Sequence, residues 1–405
     1  MINRLYSQLA RARRRYFQHH PHLRRRLEAP VISVGNLTVG GSGKTPLVGA
    51  IAQMLVDHGE RPAILSRGYG RRRPVDGVVV VSDGSRTRSH ARLPRMGPDG
   101  APRVDIDAAG DEPLMLARSI SGAAVLVSPD RYLAGRLAET RLARSIHILD
   151  DGFQHLGLSR DVDLLVTPPE DFIDVRTLPF GRFREPLEAA AAADALLVPV
   201  GKVRLTPSRA VRASASLAEA SGGGGKPNTT DGPDTTDAHN VPAAMDEKAD
   251  MARRLGVSVV FGFERSLGDA RLQKPPGEAD AIIAAGSARV YAIAGIARPD
   301  RFFSDLERAG WQVAGRQQFR DHHRYSSRDA EEIGRQARHS GADMILMTEK
   351  DLVRWPAFFD PGAAAPRSRS LDIPVASVPL RVVIEPGFQP WLTQRVAEAR
   401  RRAVA

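Results

Sequence analysis

Short apolar runs alternate with stretches of helical periodicity along most of the chain. Apolar or β-branched runs at 31–34, 63–66, 77–82, 123–128, 145–150, 162–167 and 195–200 predict strands. Between them, 46–57, 112–120 and 131–143 read as helices; in the first, Leu47, Val48, Ile51, Leu55 and Val56 recur at helical spacing. Strand–helix alternation of this kind predicts an α/β fold, a parallel sheet with helices on both faces. After residue 255 the runs at 257–262, 290–294, 343–347 and 374–384 predict a second, smaller α/β domain. Residues 221–250 interrupt the pattern. They are rich in Gly, Thr, Asp and Pro, hold almost no large apolar side chain, and read as a disordered insertion. The chain therefore divides into a basic segment at 1–27, a first domain at 28–205, a linker at 206–255 and a second domain at 256–405. The basic, proline-containing stretch 84–104 reads as a surface loop, and no internal repeat is visible.

The first apolar run feeds a glycine-rich loop, Thr38-Val39-Gly40-Gly41-Ser42-Gly43-Lys44-Thr45. Glycines let the backbone turn its N–H groups inward onto an anion, and the helix that follows favours negative charge at its start. Lys44 suits the β- and γ-phosphates of a nucleotide, and the Thr45 hydroxyl suits Mg²⁺. The one departure from the G-x-x-x-x-G-K-[ST] pattern is Thr38, where the pattern has glycine. The fold expected is thus a P-loop NTPase-like parallel sheet.

Three further clusters carry candidate chemistry. Asp150 and Asp151 end an apolar strand, as the Mg²⁺-holding acid of P-loop enzymes does, and adjacent acids repel unless a cation lies near. Asp111 and Glu112 stand just before a helix. They read either as caps or as a carboxylate general base for an acceptor hydroxyl. His322 and His323 lie in a loop and lack helical metal-ligand spacing. They acquire a role only if the second domain folds back over the phosphate loop.

Composition narrows the class. A chain of 405 residues with 42% hydrophobic and 26% charged residues has room for two packed domains. It contains no cysteine, which excludes disulfides, thiolate metal sites and a cysteine nucleophile. No apolar run is long enough to span a bilayer; the stretch 189–200 comes nearest, and Asp194 breaks it. The net charge is +11, but residues 1–27 hold eight arginines and no acid, leaving +3 for the rest. On a helical wheel Ile2, Leu5, Tyr6, Leu9, Ala12 and Tyr16 share a face, while Arg4, Arg11, Arg14 and Arg15 point away from it. Such a helix suits an anionic membrane interface, or it docks on its own domain with its arginines solvated. No continuous apolar segment follows the charges, as a signal peptide would require. Nucleic acid is a weaker partner on this composition, with few aromatics and no recognition motif.

Taken together, the segments SVGNLTVGGSGKTP (33–46), LSRGYGRR (65–72), GDEP (110–113), DDGFQH (150–155), LPFGRFREP (178–186), AGIARPDRF (294–302), FRDHHRY (319–325) and MTEKD (347–351) resemble the tetraacyldisaccharide 4'-kinase (lipid A 4'-kinase) family. They occur in the family's order and span almost the whole chain. The resemblance implies transfer of the γ-phosphoryl of ATP to the 4'-hydroxyl of an acylated glucosamine disaccharide 1-phosphate, giving lipid IVA. It implies ATP and Mg²⁺ as cofactors and a peripheral position on the cytoplasmic face of the inner membrane, with neither nucleic acid nor a protein partner. By the same resemblance Asp111 is the base and His322 its partner. Lys44 and Thr45 serve the phosphates and Mg²⁺, and Asp150 and Asp151 serve metal and nucleotide. Arg184 and Glu185 lie near the phosphates, and Arg67, Tyr69 and Arg71 face the acceptor's sugar and phosphate. Thr38 is normal for the family, whereas 221–250 looks foreign to it. Two other classes remain open on the residues themselves: a P-loop enzyme with a soluble acceptor, and a nucleotide-dependent surface-binding protein without one.

Overall fold

The computed structural model describes residues 2–40, 43–73, 76–85, 106–201, 241–273, 281–355 and 371–404. Its helices are α1 (Ile2–His19), α2 (Lys44–Asp57), α3 (Ile106–Ala109), α4 (Asp111–Ser119), α5 (Arg131–Leu142), α6 (Val241–Leu255), α7 (Pro299–Arg308), α8 (Ser327–His339), α9 (Glu349–Leu352) and α10 (Phe388–Val404). The first strands are β1 (Val31–Gly35), β2 (Pro62–Ser66), β3 (Val79–Asp83), β4 (Ala124–Val127), β5 (Ile146–Asp150), β6 (Val162–Val166) and β7 (Ala195–Pro199). Then come β8 (Val260–Leu267), β9 (Ala270–Leu272), β10 (Ala281–Ile283), β11 (Arg289–Ala294), β12 (Gln312–Gln318), β13 (Met344–Thr348), β14 (Val375–Val378) and β15 (Leu380–Ile384).

Two sheets organise these elements. The larger has nine strands in the order β15-β8-β7-β6-β1-β5-β2-β4-β3. Its interior pairings are parallel, and β3 and β15 are antiparallel edges. The five residues of each of β1, β2, β5 and β6 are all buried, the mark of strands covered on both faces. The smaller sheet runs β10-β9-β14-β13-β11-β12, with β11 to β14 mutually parallel.

The seven strands and three helices expected before residue 200 form where the apolar pattern put them. The second half corrects the expected division. β8 and β15, placed by pattern in a second domain, instead extend the first sheet. The run 374–384, expected as one strand, is two. Pro379 lacks an N–H, and there the chain leaves the second sheet after β14 and enters the first as β15. The insertion expected over 221–250 is also corrected at its end, because α6 begins at Val241; residues 221–240 lie outside the described residues. Met251 and Leu255 anchor that helix among Leu196, Val198 and Phe183. Most of the expected surface loop, 86–104, also lies outside the described residues.

The C-terminal helix completes the first sheet's core. Phe388, Leu392 and Val396 of α10 share one apolar cluster with Ile32, Leu47, Ile51, Ile148 and Phe263. Phe388 is fully buried, so Phe388→Ala should cost about 3–5 kcal/mol of unfolding free energy in a denaturant titration. The same titration on exposed Arg402→Ala should move by no more than about 0.5 kcal/mol. A Phe388→Ala loss below about 1 kcal/mol would contradict this packing.

Candidate active site

The phosphate loop opens at the carboxyl end of β1, where parallel sheets bind ligands. Gly40 (φ 105°) and Gly43 (φ 80°) occupy the left-handed region that favours glycine; Gly41 and Ser42 lie outside the described residues. Thr38 earns its place by its hydroxyl, which donates to Asp171 Oδ2 (2.6 Å) and accepts from Asn36 Nδ2 (2.9 Å). Val39 N–H donates to the Arg182 carbonyl (2.8 Å), tying the loop to 177–183. Lys44 and Thr45 start α2 and are buried. Lys44 Nζ donates to Asn36 Oδ1 (2.8 Å) and lies 3.3 Å from Asp151 Oδ1.

Asp150 and Asp151 stand beside that lysine at the end of β5. Burial first, then the charges of Glu112 and Asp151, push the Asp150 carboxyl up to about 7. Its hydroxyl neighbour is Ser66, with Oγ 3.4 Å from Oδ2. Asp151 has the left-handed φ of 55° and pairs with Arg184 Nη1 (2.6 Å). Burial raises its carboxyl, but Lys44 and Arg184 outweigh burial and hold it below the ordinary carboxylate value. A buried carboxylate that neighbouring acids force toward neutrality is a place for a hard cation. The donors there, Asp150, Asp151 and the Thr45 hydroxyl, are the oxygens Mg²⁺ prefers. Mg²⁺ takes only one or two protein carboxylates beside phosphate oxygens. Among the described residues, no group of three or more His, Cys, Asp or Glu side chains is placed to hold a metal ion.

Asp111 is the first residue of α4, set by Gly110 at φ 88°. Its Oδ2 lies 2.8 Å from His322 Nδ1, across the gap between the two sheets. The His322 loop therefore does fold back over the first sheet. His322 has φ 59°, and its N–H donates to the Gly295 carbonyl (3.2 Å) and to Asp321 Oδ1 (3.0 Å). Beneath it, wholly buried Asp351 accepts from Gly295 N–H (2.9 Å), Tyr325 Oη (2.9 Å) and Arg354 Nη2 (3.0 Å). Lys350 Nζ bonds Glu112 (3.1 Å) and lies 3.9 Å from Asp111. Burial raises the Asp111 carboxyl, but the His322 hydrogen bond and the charges of Lys350, His322 and Arg354 leave it below the usual range. It is thus ionised at neutral pH, able to accept a proton. His323 does not join the site; it stacks on Phe319 (4.7 Å) and faces Asp329 (3.3 Å).

One cleft of about 1530 Å³ is lined by Val39, Gly40, Lys44, Thr45, Asp150 and Asp151 from the first sheet and by His322 and Lys350 from the second. Arg67, Tyr69 and Arg184 also border it, and Tyr69 lies 5.8 Å, ring to ring, from His322. Arg71 is not among the lining residues. Glu185 borders the cleft, but its buried carboxylate accepts from Arg14 Nε (2.6 Å), so it serves α1 rather than a phosphate. The same contact corrects the expected orientation of α1. Arg14, expected in solvent, is buried with its guanidinium 4.5 Å over the Phe153 ring. Tyr6 Oη donates to the Arg184 carbonyl (3.1 Å). Ile2, Leu5, Leu9 and Tyr16 point outward, each more than half exposed. A buried acid without a cation is costly, and that requirement turns the helix.

Sequence reasoning missed Arg131, Lys350 and Arg354. Arg131 lines the cleft; burial, then Arg67, lowers its guanidinium, which faces Asp150 and Asp151. Its signal was its place just beyond β4, at the ligand-binding end of a parallel strand. Lys350 sat in a quoted motif whose neighbour in space, GDEP, only the fold reveals.

A parallel sheet with this loop, lysine and paired acids is that of a P-loop phosphotransferase, and a carboxylate–histidine pair borders the same cleft through His322. The model of the tetraacyldisaccharide-1-P 4'-kinase family matches residues 1–397, and the chain belongs to that family. A tetraacyldisaccharide 4'-kinase of Desulfotalea psychrophila is 33% identical over 342 residues, covering 84% of this chain and 81% of that one. One from Anaeromyxobacter sp. (strain Fw109-5) is 38% identical over 332 residues, 81% of this chain and 74% of that one. The crystal structure of LpxK from Aquifex aeolicus in complex with ATP superposes with a TM-score of 0.64 at 26% identity, covering 98% and 97% of the two chains.

The pairing of Asp111 with His322 sets an expected pH response. Asp111→Asn should slow phosphoryl transfer by about 10²–10⁴-fold, and His322→Ala by less. The double variant should lose less than the product of the two. Removing His322 takes away the hydrogen bond that opposes burial, so the Asp111 carboxyl should rise. The acid limb of kcat/KM should then move to higher pH in His322→Ala. An unmoved limb with multiplicative losses would contradict the pair.

Proposed function

We propose that this chain transfers the γ-phosphoryl of ATP to the 4'-hydroxyl of an acylated glucosamine disaccharide 1-phosphate, making the 1,4'-bisphosphate lipid IVA of lipid A biosynthesis. The observation that carries the reading is the Asp111–His322 pair at 2.8 Å, in the same cleft as the phosphate loop. The cleft runs on to Tyr6, Leu9, Ala10 and Arg13 of α1, which suits an acceptor with acyl chains.

Asp111 takes the proton of the 4'-hydroxyl as its oxygen attacks the γ-phosphorus, and ADP leaves with the bridging electrons. His322 orients the Asp111 carboxylate through Nδ1. Lys44 would neutralise the β- and γ-phosphates, with the backbone at 38–40 and 43–45 beside them. Thr45 and Asp150, with Asp151, would hold Mg²⁺, which when bound would neutralise charge on the phosphate oxygens. Arg184 keeps Asp151 in place, and Arg67 and Tyr69 face the acceptor. The protein acts as a peripheral enzyme on the cytoplasmic face of the inner membrane. Among its described residues no helix is long and apolar enough to cross a bilayer. The outward apolar stripe of α1 lies in the lipid interface, flanked by arginines worth about 1 kcal/mol each near anionic lipid.

Incubation with labelled ATP, Mg²⁺ and the disaccharide 1-phosphate should put label on the lipid, at the 4'-position. Label released only as inorganic phosphate would contradict the reading. For the membrane contact, the double variant Leu5→Ser and Leu9→Ser changes outward side chains while Arg14 keeps α1 docked. Its co-sedimentation with anionic vesicles at high salt should fall at least several-fold, while the parent retains a salt-resistant fraction. Equal sedimentation of the two would place the lipid contact elsewhere.

A further inference from the structure

The second face of the phosphate loop carries an arginine that no part of the reaction described so far uses. Arg265, on β8, brings Nη1 to within 2.9 Å of where a side chain on Gly43 would begin. The left-handed φ of 80° is what calls for glycine at 43, and the absent side chain leaves the guanidinium directly against the loop backbone. Arg265 shares the cleft lining with Arg298 and Arg301. The nearby acids are already engaged. Glu170 pairs with Arg298 (2.6 Å) and Arg301 (3.6 Å), Asp171 with Arg182 (3.3 Å) and the Thr38 hydroxyl, and Asp305, which also faces Arg265, with Arg308 and Arg301. The backbone of Arg265 pairs with β15, but its guanidinium makes no hydrogen bond or ion pair to a described residue and lies 6.0 Å from the Phe263 ring. Burial, then the charge of Arg301, lower it to about 10, so the site disfavours the cation it holds and gains when an anion arrives.

We propose that Arg265 binds the phosphate chain of the nucleotide at the start of α2, beside Gly43 and Lys44, so that phosphate binding is shared between the two halves of the chain. This rests on the kinase reading above and adds a ligand to it. The chemistry is that of a polyphosphate, from a nucleoside triphosphate or inorganic triphosphate alike; guanidinium–phosphate contacts are charge-assisted and directional. β8 leads out of the segment beyond residue 240 and runs on into the second sheet through β9, so an arginine here links phosphate occupancy to the half that carries His322.

The test is calorimetric titration of the full-length chain with Mg·ATP, inorganic triphosphate and adenosine. Arg265→Gln should weaken ATP and triphosphate about 10- to 100-fold and leave adenosine unchanged. Arg265→Lys should recover part of the loss. Amide exchange through residues 43–48 of the nucleotide-free protein should match the parent, separating a lost contact from a collapsed loop. Unchanged ATP affinity in Arg265→Gln overturns the inference, as does a loss accompanied by faster exchange in that segment. A parent that binds neither ATP nor triphosphate overturns the nucleotide reading itself.

Discussion

The 2.8 Å contact between Asp111 Oδ2 and His322 Nδ1 is the constraint on which the rest of the architecture depends. Its two ends come from different sheets. Asp111 starts α4 on the face of the nine-stranded sheet, and His322 follows β12 of the six-stranded one. A hydrogen bond of that length tolerates only a few tenths of an ångström, so the two sheets must be held in register. Covalent continuity does much of this: the chain passes from β8 into the second sheet and returns after β14 through Pro379. Ion pairs across the gap, Arg324 with Asp107 and Lys350 with Glu112, do more. On the histidine's own side, Asp351 gathers Gly295, Tyr325 and Arg354, and Gly295 in turn accepts the His322 amide. Removing one partner from such a buried charged knot leaves a group unsatisfied in low dielectric, so the loop has little freedom.

The same logic of charge without water explains the first sheet's end of the cleft. Lys44, Asp150, Asp151, Arg184 and Arg131 crowd into one partly enclosed space. Some of them compensate one another, as Lys44 and Arg184 do Asp151; Asp150 is left strained toward neutrality. The proposed reaction would bring a cation and a polyphosphate here, whose charges would relieve that strain. Glu185 illustrates the opposite case. Its charge is settled by Arg14, and it holds a helix rather than a ligand.

Much of this was legible in the sequence, for definite reasons. Strands buried on both faces leave continuous apolar runs, and β1, β2, β4, β5, β6 and β7 announced themselves in that way. The phosphate loop was visible because its backbone geometry demands glycine. What was hidden was whatever depends on long-range pairing. Nothing local distinguishes a strand that joins one sheet from a strand that joins another, so β8 and β15 were given to the wrong half. Arg14 could not be told from its neighbours, since the acid that buries it lies at residue 185. Composition averaged over 221–250 concealed the start of α6, whose anchors Met251 and Leu255 stand just beyond that window. Asp111 was readable only as a cap or a base; the fold places it beside a histidine 211 residues away.

The claim that the second sheet acts on the reaction through His322 is tested most directly by Tyr325→Phe, which removes one hydrogen bond to Asp351 and keeps the aromatic packing. The measurement is the single-turnover rate of phosphoryl transfer in four proteins: the parent, Tyr325→Phe, His322→Ala and the double variant. In the parent background the Tyr325 substitution should slow transfer about tenfold, in line with a lost buried hydrogen bond, with ATP affinity unchanged. In the His322→Ala background it should have no further effect. Equal slowing in both backgrounds would contradict the account, because the buried knot would then be acting on something other than the histidine.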